Sequence, residues 1–495
     1  MNYILSIDQS TSGTKALVFD QSSRLVGRAD IPHRQIIHDN GYVEHDGMEI
    51  YQNVIASAKK VLEQTGVSPD RIAAVGISNQ RETAIMWDST TGLPVYNAVV
   101  WQCARGEGIC RGLEAQNPAF PQTVREKTGL QLSPYFSAAK LSWIVQNVEG
   151  VREKMKAGKI CASTIDGWLI WKLTGGHSFK TDYSNASRTQ LFNIHTLEWD
   201  RELCRAFEID PAALPQVCFS DSLFGETDFE GLFGKKVPIY AALGDSHAAL
   251  FGQGCTESGT GKATYGTGSS VMIHVGDRPI ASKKGLVSSI AWGMNQKVSY
   301  VLEGNINYTG AVIKWLVEDI GLISSSKESG KIAASIPSTD GVYLVPAFSG
   351  LGAPYWDSDC RAVLCGMNRT TKKAHIVRAA EESIAYQIAD ILSIVTEADK
   401  VPLKQLNCDG GPTRDSFLMQ FQADMIRIPL AVPEIEELSG AGAAYAAGIS
   451  AGLFDWDTIL GHRKTTEFRP QMDLAQRNRL YDGWKQAVSS ILTVK

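Results

Sequence analysis

The chain has 495 residues, 44% of them hydrophobic and 20% charged, with a formal net charge of −5 at pH 7. That length exceeds one ordinary core and suggests two lobes of roughly 250 residues each. No basic run is present, so nucleic acid and anionic lipid are excluded as expected partners, and a small molecule is expected instead.

The nine cysteines, an odd number without a C-x-x-C pair, favour a reducing compartment and argue against zinc. The N-terminus reaches Asp8 after a short apolar run that reads as a strand, not a signal peptide, and no apolar stretch is long enough to span a bilayer. A cytoplasmic protein without membrane insertion is expected. The sequence leaves the oligomeric state open, a homo-oligomer included.

The first element is a hairpin. Ile4-Leu5-Ser6-Ile7 leads to Asp8 at a strand end, and a loop with Thr11, Ser12 and Gly13 follows, then Lys15 and the strand Ala16-Leu17-Val18-Phe19. Small hydroxyl residues and glycine let backbone amides approach a polyphosphate, and Lys15 can add a point charge. The same composition also suits a plain tight turn.

After Arg71, the run Ile72-Ala73-Ala74-Val75-Gly76-Ile77-Ser78 reads as a buried strand, and Asn79-Gln80-Arg81-Glu82-Thr83 connects it to the strand Ala84-Ile85-Met86-Trp87. That connection suits a solvated turn as well as a site in which Arg81 donates to, and Glu82 accepts from, neighbouring polyol hydroxyls. Trp101 and Tyr135 can wall the carbon chain of such a ligand, or belong to the core. Asp245 lies between Ala241-Ala242-Leu243-Gly244 and Ser246-His247-Ala248-Ala249, a strand-to-helix junction. There a carboxylate can cap the helix or act as a general base. His247 reads as structural.

A second loop of the first kind, Ala263-Thr264-Tyr265-Gly266-Thr267-Gly268-Ser269-Ser270 before Val271-Met272-Ile273, lies about half a chain later. The pair points to a duplicated phosphate clamp. It is not a P-loop, because no Gly-Lys pair is followed by Ser or Thr. A long amphipathic helix is expected from about Ala374 to Asp399, as packing. Asp409-Gly410-Gly411 reads as a strand-end turn able to meet a nucleotide. The Gly/Ala-rich run Ser439 to Gly448 reads as a closely packed helix or a ligand neighbour. Strands alternating with helices make the chain α/β.

Several segments together resemble the FGGY carbohydrate kinases over nearly the whole length. They are Gly41-Tyr42-Val43-Glu44-His45-Asp46, Asn79 to Thr83, Val100-Trp101-Gln102-Cys103, Thr181-Asp182-Tyr183-Ser184-Asn185-Ala186-Ser187-Arg188-Thr189, and Phe348-Ser349-Gly350-Leu351-Gly352-Ala353-Pro354-Tyr355-Trp356-Asp357. The resemblance implies a duplicated, two-lobed actin/hexokinase-like (ribonuclease H-like) fold with lobes at 1–252 and 253–495 and an interlobe active-site cleft. It implies ATP-dependent phosphorylation of a polyol primary hydroxyl, with Mg²⁺. Glycerol is the first expected substrate, and another polyol or ketose (tetritol, pentitol or pentulose) is the alternative.

By the same resemblance, Asp245 is the catalytic base and Asp8 and Asp245 meet the metal. Thr11, Ser12, Gly13, Lys15 and Thr267 hold phosphates, and Gly310, Gly411 and Asp415 lie near the nucleotide. Arg81, Glu82, Trp101, Tyr135, Asp245, Ser246 and Ser270 line the polyol site. Members of the family that act on glycerol usually carry Gln where this chain has Ser246, and Phe where it has Ser270. Asp415 replaces an Asn. These departures leave the preferred polyol open. A non-catalytic, actin-like nucleotide-binding protein is the remaining alternative.

Overall fold

The computed structural model describes residues 2–282 and 284–493. Its plan is one strand pattern used twice. The first sheet runs Gly225–Thr227, Val237–Gly244, Ile72–Asn79, Tyr3–Gln9, Gly13–Phe19, Leu25–Pro32. Val237–Gly244, Ile72–Asn79 and Tyr3–Gln9 are parallel, and the next two strands continue antiparallel.

The second sheet repeats this order. Thr465–Phe468, Leu430–Pro433, Gln405–Asp409, Thr260–Tyr265, Ser269–Gly276 and Lys297–Ile306 occupy the same places with the same directions, and Val287–Met294 adds an edge strand. Both loops read from the sequence as phosphate clamps are therefore the tips of equivalent hairpins, each beside the central parallel strands of its sheet.

A parallel strand is covered on both faces and so reads as a continuous apolar run. Tyr3–Gln9 fits that pattern, with Ile4, Leu5 and Ile7 fully buried. Leu5 and Ile7 pack with Ile50, Val54 and Val61 of the helix Gly47–Thr65, whose Asp46 caps its first turn by accepting from the Met48 and Glu49 amides. Ile4 points to the opposite face, toward Ala441 and Ala444 of the helix Leu438–Ser450.

That helix contains the Gly/Ala-rich run. A Cβ on Gly442 would stand 1.8 Å from the carbonyl oxygen of Ala248, so glycine is what lets it lie against the helix Asp245–Gly252. The sequence thus returns to the first sheet at 438–450. The amphipathic pattern near 374–399 is the helix Lys373–Ser393 followed by a wider turn through Ile394–Ala398, buried against the second sheet.

A further sheet in the first half, including Val43–His45, Ala84–Asp88, Ala98–Val99 and Ile160–Thr164, carries the aromatic segments. All nine cysteines are free thiols. Among the described residues, no helix is long and apolar enough to cross a membrane.

Candidate active site

The strand Val237–Gly244 ends and the helix Asp245–Gly252 begins at one peptide bond, so Asp245 is delivered to the cleft by the sheet itself. Its carboxylate accepts from the Ser246 amide at 2.6 Å and forms an ion pair with Arg81, whose Nε lies 3.2 Å away, and its side chain keeps 34% exposure. Burial pushes the carboxyl up, against the pull of Arg81.

Arg81, in the turn after Ile72–Asn79, lies almost wholly inside the protein. It grips Glu303 with two nitrogens, Nη1 to Oε2 at 3.2 Å and Nη2 to Oε1 at 3.0 Å. Arg188 completes the set, donating from Nε to Glu82 Oε1 at 2.7 Å and pairing through Nη1 with Glu303 Oε2 at 2.9 Å. Two arginines and two glutamates therefore interlock beneath Asp245. An arginine fork matches a carboxylate in two places at once, which fixes direction as well as distance. Although burial opposes it, Arg188 and Arg81 hold the Glu303 carboxyl well below the usual range. His247, fully buried beside this cluster, is kept neutral by burial and by the two arginines.

Trp101 and Tyr135 meet edge to face at 5.5 Å between ring centres, and each ring stays partly exposed. The Trp101 indole N–H donates to Thr11 Oγ1 at 2.8 Å, which ties this aromatic wall to the tip of the first hairpin. Ser246 and Ser270 are partly exposed too, and Ser270 Oγ donates to Glu303 Oε1 at 3.3 Å.

In the first hairpin, Asp8 stands opposite Lys15 in register and accepts from Ser78 Oγ at 3.0 Å. Burial raises its pKa to about 6, against the pull of Lys15. Lys15 pairs with Glu437 at 2.6 Å, and Arg28 holds the other oxygen of the same carboxylate. Gly13 lies where a Cβ would stand 2.7 Å from the carbonyl oxygen of Ile31. Thr11 and Ser12 form the tip, closed by the Ser10 amide on the Gly13 carbonyl at 2.9 Å.

The second hairpin's tip, Gly266 to Gly268, is exposed or partly exposed and is clasped by backbone. Thr267 O accepts from the Thr309 and Ala311 amides at 3.0 Å each, and the Gly310 amide donates to Gly266 O at 2.9 Å. Gly310 opens the helix Gly310–Glu318, and a Cβ there would stand 2.5 Å from Gly266 O. Gly411 follows the strand Gln405–Asp409 with open space over its Cα. Asp415 caps the helix Ser416–Ile426, accepting from the Phe417 amide at 2.9 Å and the Leu418 amide at 3.4 Å.

The structure thus gathers Asp8, Arg81, Glu82 and Asp245 with both hairpin tips. It adds partners the sequence reading passed over: Glu303, Arg188 and Glu437. The trace of Glu303 in the sequence was a lone acid inside the apolar strand Lys297–Ile306, a place that demands a buried cation.

Residues 3–252 match the N-terminal domain of the FGGY family of carbohydrate kinases, and residues 261–451 match its C-terminal domain. The chain is 49% identical to glycerol kinase 1 of Thermotoga maritima over 99% of its own length and 100% of the relative. It is 46% identical to glycerol kinase of Bacillus velezensis over 100% and 99%. Among solved structures, Plasmodium falciparum glycerol kinase with ADP superposes with a TM-score of 0.94 at 36% identity, covering 100% of this chain and 99% of that one. A xylulose kinase from Lactobacillus acidophilus, at 22% identity, shares the fold with a TM-score of 0.85 over 99% and 98%.

Proposed function

The chain belongs to the FGGY family of carbohydrate kinases, and from that premise we propose that it transfers the γ-phosphoryl group of ATP to a primary hydroxyl of glycerol. The observation that carries the site assignment is Asp245, a partly exposed carboxylate with a raised pKa, fixed at a strand-to-helix junction beside Arg81.

Phosphoryl transfer needs alignment, neutralised charge and a carboxylate that takes the acceptor's proton. In this reading Arg81 donates to glycerol hydroxyls and Glu82 accepts from them, while Trp101 and Tyr135 cover the carbon chain. The hydroxyl oxygen forms its bond to the γ-phosphorus as the bond to the ADP oxygen breaks, and the hydroxyl proton passes to Asp245. A raised pKa makes Asp245 a stronger base for that step. The Arg81–Glu303–Arg188–Glu82 interlock keeps the acceptor pocket from rearranging as the proton moves. In this reading the phosphate chain lies between the two hairpin tips, with Thr11, Ser12, Gly13 and Lys15 on one side and Thr267 and Gly310 on the other. Gly411 and Asp415 border the nucleoside.

Mg²⁺ commonly binds through one or two carboxylates together with substrate phosphates, not in an all-protein cage. Asp8 and Asp245 fit that donor set: two acids near enough that the Asp245 charge helps raise the Asp8 pKa, with no third acid completing a cluster among the described residues. They would hold the ion, which supplies neutralisation of phosphate charge. The short, partly exposed Ser246 and Ser270 support a second reading, in which a four- or five-carbon polyol or ketose is also accepted.

The test is ADP release from Mg²⁺-ATP, compared as kcat/KM across glycerol, four- and five-carbon polyols and ketoses. Glycerol is expected to be phosphorylated. ADP release with none of these acceptors would sink the kinase reading and leave a non-catalytic nucleotide-binding protein.

A further inference from the structure

Lys262 lies on the strand Thr260–Tyr265, four residues before the second hairpin's tip begins at Gly266. Strand alternation turns Ala263 and Tyr265 into the core of the second sheet, so Lys262 and Thr264 share the opposite face. On that face its charge reaches Asp245 and His247 at the start of the helix Asp245–Gly252, Cys255 just past its end, and Asp409 at the end of the neighbouring strand. Lys262 is only 2% exposed. Among the described residues, its Nζ has one hydrogen-bond partner, Thr264 Oγ1 at 2.8 Å, and no carboxylate oxygen within 4 Å.

An ammonium carries three donors, so two of them lack a protein acceptor. Taking such a charge out of water costs several kcal/mol unless an anion or a full set of acceptors compensates it. One hydroxyl does not. Lys15 is the contrasting case: Glu437 lies 2.6 Å from its Nζ. Each hairpin thus brings one lysine to the cleft, and among the described residues only the lysine of the first has a carboxylate oxygen within 4 Å.

We propose that Lys262 is a phosphate-directed cation: with nucleotide bound, its Nζ donates to the phosphate chain and completes its own shell there. The role rests on the phosphoryl-transfer reading, in which a polyphosphate lies between the hairpin tips. It also gives Thr264 a function, since this hydroxyl accepts from Lys262 Nζ and so holds the ammonium at the base of the cleft.

The experiment compares the wild type with Lys262→Met and Lys15→Met. Thermal midpoints are measured without ligand, with pyrophosphate and with ADP, and turnover is measured with Mg²⁺-ATP and glycerol. Lys262→Met is expected to abolish stabilisation by pyrophosphate, to leave the ligand-free midpoint unchanged or higher, and to lower kcat about 100-fold, the scale of losing one donor to developing charge. Lys15→Met should retain more of the pyrophosphate effect.

Equal pyrophosphate stabilisation in Lys262→Met and the wild type would overturn the proposal, whatever the turnover. Loss of that stabilisation in a chain whose wild type turns over no polyol would keep Lys262 as a phosphate ligand and remove only the kinase reading. If Lys262→Met does not fold, Lys262→Gln, which keeps a donor without the charge, serves the same comparison.

Discussion

The two hairpins have the same strand order and the same Ser/Thr/Gly composition, yet they are held in different ways. Side chains fix the first: Trp101 donates to Thr11, Gln35 Nε2 donates to Thr11 O at 2.6 Å, and Glu437 neutralises Lys15. Backbone fixes the second, with the amides of Thr309, Gly310 and Ala311 on the carbonyls of Gly266 and Thr267. A loop anchored by side chains can be tuned one residue at a time, whereas a loop anchored by amides depends on the glycines that let the chains approach. The first hairpin should therefore respond to side-chain chemistry and the second to added volume.

The largest expected effect belongs to neither hairpin. Asp245→Asn removes the proposed base, and kcat should fall about 1,000-fold, within the usual range for a general base, while ADP still binds. Single-turnover measurement of glycerol phosphorylation, with ADP binding by calorimetry, checks it. Near-normal turnover would take Asp245 out of its assigned role and leave the hairpins without a shared centre.

Gly310→Ala tests the backbone clasp. The new Cβ would sit 2.5 Å from Gly266 O, and neither helix start nor hairpin tip can give way cheaply. Overpacking of this kind costs about 1–3 kcal/mol, so KM for ATP should rise about tenfold while KM for glycerol stays near its original value. Gly13→Ala meets Ile31 O at 2.7 Å on an edge strand, which pairs with a neighbouring strand on one side only, and a smaller effect is expected. The reverse order, measured by steady-state kinetics, would break the contrast between the two anchoring modes.

Much of this arrangement was legible in the sequence, and what was not has a common cause. Local signals gave the hairpins, the Asn79 to Thr83 connection and the junction at Asp245, because turn chemistry and apolar runs are written within ten residues. The Gly/Ala-rich run was legible as a close-packed helix, but not as one that returns to the first sheet. Arg81 finds Glu303 222 positions away, and Lys15 finds Glu437 422 positions away. No periodicity records such pairings. Asp415 shows the opposite effect: its Oδ1 accepts from two amides of its own helix, a capping role that its position before Ser416-Phe417-Leu418 already suited.

The proposed acceptor pocket sharpens the contrast further, since it draws on a residue beside each hairpin tip: Ser270 follows the tip of the second, and Trp101 is tied to the tip of the first. Ser246→Gln with Ser270→Phe should raise the glycerol preference over four- and five-carbon polyols by up to about tenfold in kcat/KM, the worth of a few lost contacts. An unchanged ratio would mean that the second hairpin does not shape selectivity.

Trp101→Phe should do less and act differently. The ring remains against Tyr135 but the donor to Thr11 is lost, a net change of about 1 kcal/mol. If Thr11 is positioned through that indole, KM for glycerol and KM for ATP should rise together, each by about threefold to fivefold. A rise confined to glycerol would instead make Trp101 a wall of the polyol pocket alone, and the first hairpin would then be held by Gln35 and its own turn.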